Sequence, residues 1–64
     1  MTDTFVDERG NGLRATWHAD AGVVVVSLWR ASTCVGTVRL DTADTARLAA
    51  LLSAAVMEQL QPSR

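Results

Sequence analysis

The chain carries one cysteine, one histidine and one proline, and it has no lysine, tyrosine or isoleucine. A single thiol, Cys34, closes no intramolecular disulfide, and Cys34 with His18 is too small a donor set for a tetrahedral structural zinc site. Six arginines stand against seven carboxylates, for a net charge of −1, so there is no basic excess of the kind a nucleic-acid binder gathers. The N-terminus, Met1-Thr2-Asp3-Thr4-Phe5-Val6-Asp7-Glu8, has neither the basic n-region nor the apolar h-region of a signal peptide. No apolar run comes near the roughly 18 residues of a membrane span. These absences predict a cytoplasmic protein with a reduced thiol, no metal and no contact with membrane.

What is present is 64 residues, 48% of them hydrophobic, read as one small domain over 1–64. Chains below about 70 residues rarely bury enough apolar surface to be stable by themselves, and they lean on disulfides, a metal or a partner chain. With the first two excluded, oligomerisation remains, and a homodimer is its simplest form. The bias toward arginine, alanine and valine reads as codon usage in a GC-rich genome.

Residues 1–12 are polar apart from Phe5-Val6 and end in the turn signal Gly10-Asn11-Gly12, so this arm is either an extra strand or a tail. From Leu13 to Trp17 apolar and polar residues alternate, the period of a half-buried strand. His18 to Gly22 reads as a hairpin loop, and Val23 to Trp29, with its four consecutive valines, as the central strand. Arg30 to Thr33 turns, and Cys34 to Leu40 is a further strand. Asp41 then caps a helix with Asp44 three positions on, and the alanine- and leucine-rich stretch runs to about residue 61, where Pro62 stops it. The expected fold is α+β: an antiparallel meander of three or four strands over 13–40 and the arm, packed against one helix over 41–61.

Register decides which residues share a face, because a slip of one residue turns every side chain of a strand over. A five-residue loop at 18–22 pairs Trp17 with Val23 and Ala15 with Val25; an even loop at 30–33 pairs Trp29 with Cys34 and Val25 with Val38. One face then carries Leu13, Ala15, Trp17, Val23, Val25, Ser27, Trp29, Cys34, Gly36, Val38 and Leu40, with both tryptophans under the helix and Gly36 leaving room for the Trp29 indole. The open face carries Arg14, Thr16, His18, Thr37 and Arg39 around an apolar ridge of Val24, Val26, Leu28 and Val35. Such a ridge is too apolar to leave in water, so Phe5-Val6 or a second chain must cover it. On the helix, Leu48, Leu52, Val56 and Leu60 form a stripe for the sheet, while Leu51 and Met57 lie off it. The expected interaction surface is therefore Val24, Val26, Leu28, Val35, Leu51 and Met57.

No constellation carries chemistry. Cys34 and His18 are the only nucleophile and base of the thiol–imidazole kind, and the register places them on opposite faces at different ends of their strands. Cys34 reads as a small core hydrophobe and His18, beside Asp20, as part of a solvated turn. Asp41 and Asp44 serve the helix start, and Gly10-Asn11-Gly12 precedes no helix, so it is no phosphate loop. No catalytic, cofactor-binding or metal-binding residue is assigned. The alternative is single-stranded nucleic-acid binding on the open face flanked by Arg14 and Arg39, since strands followed by one helix resemble the dimeric single-strand-binding transcriptional coactivators, although that face offers no aromatic for stacking.

A strand Val24-Val25-Val26-Ser27-Leu28-Trp29-Arg30, then Val38-Arg39-Leu40-Asp41-Thr42-Ala43-Asp44 running from strand into helix, is similar in layout to the small BldB-like proteins of actinobacteria. The resemblance spans most of residues 13–60. It implies a non-enzymatic, dimeric accessory or regulator in transcriptional or developmental control, with another regulatory protein as a further partner, and it assigns no functional residues.

Overall fold

Runs of β-branched residues and short polar turns divide the first forty residues into hydrogen-bonded strands. A computed structural model describes residues 1–61. It has β1 (Thr2–Val6), β2 (Asn11–His18), β3 (Val23–Arg30) and β4 (Thr33–Leu40), followed by α1 (Thr42–Leu60). The strands form one open antiparallel sheet in the order β1-β2-β3-β4, so the layout is α+β. The arm is ordered as a strand: Thr2 pairs with Thr16 and Phe5 with Leu13. Pro62, the expected helix stop, lies outside the described residues; within them the helix ends at Leu60, where the N–H of Gln61 donates to Glu58.

Each connection has its own closure. Asp7 accepts the backbone N–H groups of Arg9 and Asn11, and Gly10 takes the positive φ (82°) that lets the chain return. At the next turn the His18 carbonyl accepts the N–H groups of both Ala21 and Gly22, the latter at φ 68°. The last hairpin closes on only Ala31-Ser32, with Ala31 at φ 53°, a left-handed conformation that usually selects glycine.

The second of these turns corrects the expected register. Because the turn starts on the carbonyl of His18, His18 belongs to β2 and pairs with Val23, the loop is four residues (19–22), and Trp17 faces Val24 rather than Val23. All of β3 is thereby turned over relative to β2. At the far hairpin Trp29 does pair with Cys34 as expected, but a bulge opposite the Leu28/Trp29 step leaves Val35 unpaired and sets Val26, not Val25, against Val38. One face of the sheet consequently holds Phe5, Leu13, Ala15, Trp17, Val24, Val26, Leu28, Val38 and Leu40, with Asp3 on the outer strand and Asn11 and Arg30 at one end. The other holds Thr4, Val6, Arg14, Thr16, His18, Val23, Val25, Ser27, Trp29, Cys34, Thr37 and Arg39.

The helix starts with no linker. The Asp41 carboxylate accepts the N–H of Asp44 at 2.8 Å, and the Thr45 hydroxyl donates to the Asp41 carbonyl at 2.7 Å. Its contact with the sheet is chiefly to β4, and no helical residue is buried. The expected cover over the sheet is thus confined to the root of the helix, and among the described residues no side chain is fully withdrawn from solvent.

Candidate interaction site

The turned-over register gathers on one face what alternation in β2 and the valine run in β3 supply separately. Trp17–Val24, Ala15–Val26 and Leu13–Leu28 are direct cross-strand pairs, and Val24 and Val26 are continued by Leu40 and Val38 on β4. Of the expected interaction residues, Val24, Val26 and Leu28 are brought together, and they share their face with Trp17 instead of opposing it. Val35 is not part of that patch; as the extra residue of the bulge it stands apart and exposed. Leu51 and Met57 are exposed on opposite flanks of α1, about 120° apart around its axis. Phe5, Leu13, Trp17 and Val38 complete the patch and were not among the expected interaction residues; the alternation Leu13-Ala15-Trp17 was the signal for two of them.

Two hollows mark this face. The larger, about 470 Å³, lies between the sheet and the first turns of α1, with Met1, Trp17 and Val24 on one side and Thr45, Ala46 and Ala49 on the other. The second, about 350 Å³, lies at the opposite end of the strands and is lined by Phe5, Leu13 and Leu28 among others. Trp17 is 42% and Leu28 49% exposed. The chain as a whole exposes 5359 Å², against roughly 4,000 Å² for a compact monomer of its mass. Its radius of gyration is 13.9 Å, where about 11 Å is usual for this length.

The polar face is organised around Trp29, half-buried there and not under the helix. The Arg14 guanidinium sits 4.8 Å from the Trp29 ring centroid, and the indole N–H donates to the Ser27 hydroxyl at 3.0 Å. Gly36 does not make the expected room for this tryptophan, since a Cβ there would meet nothing; the glycine opposite Trp29 is Gly12, where a Cβ would make only ordinary contact with the Trp29 Cβ at 3.7 Å. Arg39 shares the face, opposite Val25 on the neighbouring strand.

Cys34 is exposed, its thiol near the Gly36 carbonyl and the Thr37 hydroxyl, and is not the core residue expected. His18 and Cys34 lie on the same face of the sheet and not on opposite faces as expected, but His18 pairs at the Val23 end of β3 and Cys34 at the Trp29 end, about 20 Å apart along the strand. Among the described residues no three His, Cys, Asp or Glu side chains cluster as metal ligands, and no helix is long and apolar enough to cross a membrane. Comparison with protein-family models, curated proteins and solved structures yields no match.

Proposed function

We propose that the chain is a non-enzymatic protein-interaction module that works as a homodimer, serving as an accessory or regulator in transcriptional or developmental control. The observation that carries the dimer is the surface: about 1,400 Å² more than a compact monomer exposes, with apolar side chains from every element along it. A standard interface takes about 800 Å² from each partner and an obligate dimer about 1,000–2,500 Å², so the excess falls in the obligate range. The regulatory role rests on the resemblance in layout to the BldB-like proteins. Sedimentation over a wide dilution series tests the dimer. A dimer that dissociates only at high dilution is expected; a folded monomer at every concentration overturns the proposal.

The position of Trp29 favours a second reading, single-stranded nucleic acid held on the polar face. That face offers an aromatic ring beside Arg14, with Arg39 on the same face about 13 Å along the strand, and none of the strand residues that form it is a carboxylate. Stacking on Trp29 with phosphates toward the two arginines is the arrangement such a surface supports. Arg14→Ala with Arg39→Ala is then expected to weaken binding of a single-stranded oligonucleotide and flatten its salt dependence. Failure of the wild-type protein to bind at low salt removes this reading.

A further inference from the structure

The helix and the sheet each present an apolar surface that the other, within one chain, does not reach. Past Ala49 the helix runs clear of its own sheet: Leu52 is 55%, Val56 49% and Leu60 76% exposed. These residues continue the side of the helix that faces the sheet at Thr45 and Ala49, since positions three or four apart fall on one stripe. The hollow lined by Phe5, Leu13 and Leu28 lies at the end of the strands away from the helix root, which sits over Trp17 and Val24. The helix cannot turn back to fill it. Asp41 alone separates β4 from α1, the cap and the Thr45 hydroxyl bonds fix its direction, and no glycine or proline interrupts it from Thr42 to Leu60.

We propose that the distal half of each helix seats on the apolar sheet face of a second copy, its Leu52–Val56–Leu60 stripe lying against the partner copy's sheet at the hollow formed there by the equivalents of Phe5, Leu13 and Leu28. This rests on the homodimer proposed above and specifies how it is built. A second copy is the occupant because one chain supplies both complements, an overhanging apolar helix and an open apolar hollow. Two such chains related by a two-fold axis satisfy both at once and leave no open end. The helix composition agrees: α1 carries only Asp44, Arg47 and Glu58 as charges, and apolar residues occupy most of the remaining circumference, as in helices covered from more than one side.

Single-cysteine chains test the arrangement. In a Cys34→Ser background, Phe5→Cys is placed in one chain and Val56→Cys in another; the two are mixed, refolded together and oxidised, and the products are separated without reductant. Disulfide formation needs the two Cα atoms within about 7 Å, so only chains whose helix reaches the neighbouring sheet join efficiently. The expected result is a mixed disulfide in several-fold excess over either self-joined product. A sedimenting dimer that yields self-joined Phe5→Cys chains and no mixed product overturns the helix exchange and leaves the homodimer standing. A monomer at all concentrations overturns both.

Discussion

Trp17 and Val24 stand directly opposite each other across β2 and β3, and that one pairing decides the character of both faces of the sheet. It puts Val24, Val26 and Leu28 beside Trp17, Ala15 and Leu13, and it sends Val25 and Trp29 to the side of Arg14 and Arg39. Substitution of adjacent valines separates the two faces. Val26→Asp places a carboxylate in the middle of the apolar patch and is expected to leave either monomer or unfolded chain. Val25→Asp, between Thr16 and Arg39, is expected to keep the wild-type oligomeric state. Sedimentation of the two variants checks this, and equal behaviour would contradict the register.

Ala31 offers a prediction that depends on backbone alone. At φ 53° an alanine holds a conformation costing on the order of 1 kcal/mol more than it costs glycine. Ala31→Gly is therefore expected to stabilise the protein, raising Tm by about 4–8 °C at fixed protein concentration. The opposite substitution in the turn between β2 and β3, Gly22→Ala, meets no steric obstacle but a similarly positive φ, and is expected to cost a similar amount. Thermal scans of both variants read the pair.

Much of this was legible in the residues, and the part that was not has a specific cause. Alternation over Leu13–Trp17, the turn at Gly10, and Asp41 before an alanine- and leucine-rich run predict the elements the chain forms. The register escaped because Val23, Val24, Val25 and Val26 are chemically identical: a run of valines reads as apolar in either phase, so only the loop geometry at His18 chooses between them. The bulge that isolates Val35 has no signal stronger than the neighbouring Gly36. The reach of the helix was hidden for a different reason. Periodicity reports which side of α1 is apolar, and says nothing of whether a chain leaving Leu40 through one capping residue can fold that side back over its own sheet.

The cap itself is testable. The Asp41 carboxylate satisfies an N–H that the first helical turn otherwise leaves to water, and the residue sets the direction in which the helix departs. Asp41→Ala is expected to cost about 1 kcal/mol, whereas Asp41→Asn or Asp41→Ser, which keep an acceptor, are expected to cost much less. Denaturant titration followed by far-UV circular dichroism measures it.

Among the described residues no side chain is fully buried, and under the proposed dimer stability comes from association, which sets how the protein melts. If folding and dimerisation are one event, the unfolded state is favoured by dilution, because two molecules are released for each dimer lost. With about 0.7 kcal/mol of unfolding enthalpy per residue over both chains, each tenfold rise in protein concentration is expected to raise Tm by on the order of 5 °C. A chain stable by itself would melt at one temperature throughout. Calorimetry across two decades of concentration distinguishes these outcomes, and the same series run on Val56→Asp, which removes the helix from the proposed interface, is expected to show a lower Tm at every concentration.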